Sequence, residues 1–150
     1  MKKCCVTMIL TALLLCGCGG GSSKTLDVDE LASSLVNDIS YEEELVELDE
    51  EDIENYVDLE DGVEAVMYMS GGSTSEEVAV FTAKDKATAA KQKSNVQTFL
   101  EDQKDSFADY IPQEAKRMED AVLVTEGKYV ILCVSGHSEE AQKIIDQALE

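Results

Sequence analysis

The sequence is poor in the residues that build disulfide-bonded, metal and catalytic sites. Its 150 residues contain one histidine, one proline and no tryptophan. Of its five cysteines, four fall within the first 18 residues, and only Cys133 lies in the rest of the chain. One thiol can form neither a disulfide framework nor a cysteine cluster for metal. Any Ser-His-Asp or Cys-His arrangement would have to use His137.

Basic residues are also scarce, which limits the partners that the chain can bind. If residues 1–17 are removed, Lys2 and Lys3 leave with them, and ten basic side chains remain against 32 acidic ones, a net charge of about −22. Nucleic acid, anionic lipid headgroups and cell-wall polyanions all repel a body of that charge. We therefore expect no nucleic-acid partner. The charge favours basic partners or simple solubility.

The N-terminus has the pattern of an export signal. Lys2 and Lys3 precede an apolar run, Val6 to Leu15, that is interrupted only by two threonines. This run is long enough for the core of a signal peptide but too short for a membrane-spanning helix, which needs about 20 apolar residues. We predict that residues 1–17 form a signal peptide.

The end of this segment resembles the bacterial lipobox. Leu15-Cys16-Gly17-Cys18 has the aliphatic, variable and small residues that precede a cysteine whose sulfur receives diacylglycerol. The resemblance implies a lipoprotein that reaches its membrane partner through the diacylglyceryl anchor on Cys18. Two acyl chains suffice for stable anchoring. The expected location is the extracytoplasmic face of the cell membrane.

Two regions follow the signal peptide. Residues 18–26 comprise the lipidated cysteine and a flexible tether, Gly19–Ser23, with an r.m.s. reach of about 15 Å. Residues 27–150 have the length of a single domain with one core. The chain is therefore divided into a removed signal, a lipidated tether and one folded body.

The predicted domain contains a first helix and two ββα units. Asp27 is predicted to cap the first helix, and an acidic segment with short helical turns follows it. The first unit comprises strands 65–69 and 78–81 and a helix from Asp85 to about residue 107. The second comprises strands 121–124 and 129–134 and a helix capped by Ser138. A short helix from Pro112 through Glu119 joins the two units.

These elements predict an α+β fold. The two hairpins most simply form one four-stranded antiparallel sheet, with the helices packed mainly on one face and preceded by an N-terminal helix. Strand 129–134 is apolar on both faces, which is typical of a central strand covered on both sides. Either the first helix with the acidic segment or a second copy of the chain could cover the second face.

Candidate sites within the domain are few. No metal site is predicted, because the acidic segment 42–61 lacks the spacing of a calcium loop, although weak cation binding stays open. The weak metal candidates are Asp58, Glu60 and Asp61. Cys133 is predicted to be a buried apolar residue rather than a reactive thiol. No catalytic residue is predicted, and His137 is interpreted as a loop residue before the last helix.

Several segments together resemble the Firmicutes lipoproteins grouped as domain of unknown function 4358. Besides the lipobox, they are Glu77–Asp85, Asp109–Pro112 and Gly127–Val130. The likeness covers roughly residues 27 to 149. It implies a Gram-positive surface lipoprotein and, because the family carries no assigned activity, no catalytic residue or cofactor. The stretch 41–54 is more acidic than is usual in such proteins, which puts a shared binding surface there in doubt.

Three functional hypotheses follow from these observations. The first is a non-catalytic binding or interaction module, because an anchored compact domain lacks a recognisable catalytic arrangement. The second is a structural, self-associating protein that buries the second face of its sheet in a dimer. The third is an enzyme of unknown type. No cofactor is expected in any of them, and the ligand and pathway are left open.

Overall fold

The computed structural model of the protein describes residues 25–150. The predicted signal peptide, Cys18 and the tether as far as residue 24 lie outside the described residues. The elements in chain order are α1 (Val28–Asp38), β1 (Val46–Glu47), α2 (Glu50–Ile53), β2 (Glu64–Met69), β3 (Glu77–Thr82), α3 (Lys86–Ala108), α4 (Pro112–Glu119), β4 (Val122–Glu126), β5 (Tyr129–Val134) and α5 (Ser138–Leu149). None of these helices is long and apolar enough to cross a bilayer.

The strands form one antiparallel sheet in the order β1-β2-β3-β5-β4. The predicted α+β class, N-terminal helix and antiparallel hairpins are thus confirmed. The sheet has a fifth strand, β1, because the acidic segment pairs with β2 at Val46 and Glu47. Both residues are exposed, so this strand carries no alternating burial pattern from which it could have been predicted.

The helices pack on both faces of the sheet rather than mainly on one. The first face, under α2, α3 and α4, includes Met67, Phe81 and Leu132 in its core. The second face, under α1 and α5, includes Val80 and Ile131. Because β5 is buried along its whole length and β3 at all but its last residue, both faces must be removed from water, and the apolar stripes of α1 and α5 cover the second one. A second copy of the chain is not needed there.

The two ends of the sheet differ in what lies at them. We call the end with the β2–β3 loop, residues 70–76, the loop end. Residues Met69, Glu77 and Val134 are paired at this end. The opposite end, where Thr25 lies beside the β4–β5 turn and Leu149, is the entry end. The described residues therefore begin at the entry end, which is the end of the strands opposite the β2–β3 loop.

Local signals fix the boundaries of several elements. Asp27 accepts a hydrogen bond from the Glu30 amide at 3.0 Å, and Asp85 accepts one from the Thr88 amide at 2.8 Å, so both cap helices as predicted. The Thr88 amide also lowers the pKa of Asp85. The residue that precedes α5 is His137 rather than Ser138, which is the first residue within that helix.

Candidate functional site: buried carboxylates at the loop end

Four consecutive polar residues are buried where the β2–β3 loop enters β3. They are Thr74, Ser75, Glu76 and Glu77, and the two glutamates are only 2 and 1% exposed. A third buried glutamate, Glu114, reaches the same loop from α4. Burial of a charged carboxylate is costly unless donors replace its water. The contacts of each glutamate therefore decide what this cluster can do.

Arg117 supplies the positive charge of the cluster. One of its Nη atoms lies 2.5 Å from the Glu114 carboxylate and 3.9 Å from that of Glu76, and the other bonds the Glu42 carboxylate. Glu114 and Arg117 lie three residues apart on α4, so the helix presents both on one side. One guanidinium thus faces three carboxylates and joins α4, the loop end of β3 and the chain after α1.

Backbone amides supply most of the remaining donors. The Glu76 carboxylate accepts from the amides of Glu42 and Glu43, at 2.9 to 3.2 Å, and from the Thr74 hydroxyl at 3.2 Å. The Glu114 carboxylate accepts from the amide and the hydroxyl of Ser75, at 2.7 and 2.9 Å. These two carboxylates are therefore occupied by donors from the protein itself.

Glu77 is buried without such partners. It is 1% exposed, and neither of its carboxylate oxygens has a hydrogen-bond partner among residues 25–150. Its neighbours across the sheet are Met69 on β2 and Val134 on β5, which are both apolar. Burial raises the pKa of Glu77 from 4.5 to about 8, so its neutral acid is the dominant form at pH 7.

Tyr41 and Cys133 lie on the second face of the sheet, near Glu76. The Tyr41 hydroxyl donates to the Leu35 carbonyl at 2.8 Å and lies 3.6 Å from the Cys133 sulfur. Burial raises the pKa of both the Tyr41 hydroxyl and the Cys133 thiol, so both stay protonated at neutral pH. Cys133 is 1% exposed, which confirms the prediction of a buried residue.

His137 is separate from this thiol. Its side chain is 51% exposed and contacts Glu140 on α5, at 3.8 Å. The His137 amide donates to the hydroxyl of buried Ser135, which fixes the loop after β5. The structure therefore gives the imidazole an exposed position before α5, in agreement with its interpretation as a loop residue.

The weak metal candidates contact different partners, because Gln92 on α3 bonds the backbone of residues 58 and 60, whereas Asp61 pairs with Lys84, which precedes α3. Gln92, which is fully buried, accepts from the Glu60 amide at 2.9 Å and donates to the Asp58 carbonyl at 3.2 Å. Asp61 pairs with Lys84 at 3.4 Å. Across residues 25–150, no three side chains of histidine, cysteine, aspartate or glutamate are placed to hold a metal ion.

A comparison with known families places this geometry in context. Residues 37–135 match the model of one family, described as "Domain of unknown function (DUF4358)". The chain belongs to this family. No curated protein and no solved structure gives a significant match. The DUF4358 match includes all five strands and the whole carboxylate cluster, whereas α5 lies beyond it.

The carboxylate cluster of this DUF4358 protein was missed by sequence reasoning. Glu77 begins an apolar strand and Glu76 directly precedes it, so alternation alone would direct them to opposite faces of a sheet that is buried on both sides. That pattern is an available signal for at least one buried carboxylate. The partners of that carboxylate have no local signal, because Glu114 and Arg117 are separated from β3 by more than the length of α3.

Proposed function

We propose that the protein is a non-catalytic interaction module, held by a diacylglyceryl anchor on Cys18 at the extracytoplasmic face of the membrane. The observation that carries the proposal is the placement of Thr25 at the entry end, opposite the β2–β3 loop. A tether that joins there leaves the loop end as the part of the sheet farthest from the point of attachment.

The chemistry of the carboxylate cluster supports a binding role over catalysis. A general acid or base must have access to a substrate proton. Glu76 and Glu114 are instead occupied by amides, hydroxyls and Arg117, and Glu77 is enclosed by apolar neighbours. The cluster thus holds α4 and the β2–β3 loop in place. We therefore assign partner binding to the outer surface of the domain.

The anchor is tested first. The full chain is expressed in a Gram-positive host, and its membrane retention and N-terminal mass are compared with those of Cys18→Ser. Wild-type protein is expected in the membrane fraction with a diacylglyceryl group on residue 18, and the variant in the soluble fraction. An unmodified product that still begins at Met1 would contradict the anchor.

The interaction role is tested on the anchored protein. Crosslinking in intact cells, followed by capture, is expected to recover a specific partner from wild-type cells. A matched strain with Cys18→Ser separates surface-dependent partners from background. Recovery of no partner, together with turnover of a substrate by the purified chain, would overturn the proposal in favour of an enzyme.

A further inference from the structure

β4 is an open and unusually unprotected edge of the sheet. Within residues 25–150 it pairs only with β5, and its five residues, Val-Leu-Val-Thr-Glu, contain no proline and no charge before Glu126. Edge strands are normally short, charged or interrupted, since their unpaired backbone groups attract other strands. The opposite edge, β1, obeys this rule because it has only two residues, and one is Glu47.

The turn after β4 shows which backbone groups point outward. Glu126 pairs with Tyr129 across Gly127 and Lys128, and Gly127 has φ of 59°, as a two-residue type II′ hairpin requires. The residues that close such a turn bond each other, and the bonding alternates along an antiparallel pair. The amides and carbonyls of Thr125 and Leu123 therefore face away from β5, toward the open edge.

A groove of about 320 Å³ lies at the beginning of this edge, where Leu123 faces α3 and α4. Its apolar lining includes Leu100, Met118 and Leu123, and its charged lining includes Glu101, Glu119 and Lys104. Lys104 lies 3.9 Å from Glu119, so its charge is offset. Exposed acids also stand at both ends of β4, at Asp120 and Glu126.

We propose that the β4 edge binds an extended, basic segment of a partner protein, which adds to the sheet as a sixth strand. Unpaired backbone groups provide affinity in this mode of recognition, and side-chain pockets provide specificity. Alternate apolar side chains of the segment enter the groove, and its lysines or arginines meet the acidic rim. A second copy of the chain is disfavoured as the occupant, because two domains that each carry a net charge of about −22 repel each other.

This inference specifies the partner of the proposed interaction module and so rests on it. The probe is a short fluorescent peptide of alternating lysine and valine, with an analogue of equal charge that is N-methylated on alternate residues. Fluorescence anisotropy with the purified full chain is expected to show at least about tenfold weaker binding of the analogue. Equal binding of both peptides would mean attraction by charge alone, and would overturn the proposal.

Two proline variants locate the site. Thr125→Pro removes an outward amide from β4, and Thr125 Oγ1 has no hydrogen-bond partner to lose in the described part of the chain. Glu47→Pro is the matched control on β1, where the Leu48 amide bonds the Met67 carbonyl and the Glu47 amide therefore points outward. Binding is expected to fall at least about tenfold only in Thr125→Pro. Equal loss in both variants would contradict the assignment to β4.

The remaining outcomes distinguish the alternatives. If Thr125→Pro fails to fold, as judged by circular dichroism, the N-methylated analogue on wild-type protein still decides the question. A wild-type dimer in sedimentation that Thr125→Pro dissociates would assign the edge to a second copy and overturn the proposal. If cells yield a crosslinked partner but the peptide fails to bind β4, the interaction module stands and only this inference falls.

Discussion

Two neighbouring glutamates at the loop end of the sheet are buried to the same extent but differ in their partners. Glu76 accepts hydrogen bonds from two amides and a hydroxyl and lies 3.9 Å from Arg117. Glu77 has apolar neighbours across the sheet and, within the described structure, no hydrogen-bond partner. Burial alone therefore does not determine the state of a carboxylate. The hydrogen-bond donors around each carboxylate determine its charge. Glu76, which has donors, links neighbouring segments of the chain, whereas Glu77, which has none among the described residues, is a neutral acid.

The largest expected effect comes from removing the positive charge that Glu76 faces. Arg117→Met leaves the buried carboxylates of Glu76 and Glu114 without their guanidinium, and we expect a loss of about 3 to 5 kcal/mol in unfolding free energy. Urea denaturation monitored by circular dichroism measures it. Lys116→Met is the matched control, because Lys116 is exposed on the same helix. Equal effects of the two changes would show that the network contributes nothing specific.

The neutral state of Glu77 is tested by the pH dependence of the unfolding free energy. The pKa of Glu77 is about 8 in the fold, above its ordinary 4.5, so the folded state holds a proton that the unfolded state releases. Stability from this group is therefore greatest below about pH 4.5 and decreases as pH rises to about 8, by up to about 4 kcal/mol. Glu77→Gln should remove that decrease.

The measurement is denaturation of wild type and Glu77→Gln at pH 5 and pH 9. The variant is expected to match wild type at the lower pH and to exceed it at the higher one. Glu64→Gln, an exposed position at the other end of the sheet, controls for a general change of charge. If the unfolding free energies of wild type and Glu77→Gln change in parallel with pH, the pKa of Glu77 is not raised by burial and the prediction is wrong.

A smaller effect is expected at Gln92, a buried polar residue whose neutral side chain makes its hydrogen bonds without an ion pair. Gln92→Leu removes the acceptor of the Glu60 amide and the donor to the Asp58 carbonyl, and should cost about 1 to 3 kcal/mol. Thermal denaturation compares it with Gln97→Leu, an exposed position on the same helix. A stabilised Gln92→Leu would mean that apolar packing outweighs both bonds.

The smallest expected effect lies on the second face of the sheet. Tyr41→Phe removes the hydrogen bond to the Leu35 carbonyl and should cost about 0.5 to 1.5 kcal/mol. It also removes the hydroxyl beside Cys133, so a thiol reagent should label Cys133 faster in the native variant than in wild type. Unchanged labelling would show that burial alone protects the thiol.

Patterns within single elements predicted much of this fold. Strand Tyr129–Val134, helix Pro112–Glu119 and the caps at Asp27 and Asp85 were correct, since each depends on neighbouring residues. The polar stretch between Ala89 and Val96 on α3 contains Gln92, which is buried because it bonds the chain at 58–60. That partner is remote, so no local pattern could indicate it.

The same limit applies to the site. The predicted anchor at Cys18 lies outside the described residues and stays a prediction. The carboxylate cluster was missed because it joins residues from α4, the β2–β3 loop and the chain after α1. Periodicity indicates which side chains turn inward, whereas the pairing of a buried charge depends on tertiary contacts that only the fold supplies.

The central position of β5 has a consequence for synthesis. β3 is apolar on both faces, and between β2 and β5 it has no free edge, yet β5 begins only at Tyr129. A nascent chain that stops before that point exposes β3 as a bare edge, which is the state most prone to aggregate. The domain is therefore expected to complete its core only after β5 has emerged, and fragments that end before Tyr129 should need a chaperone.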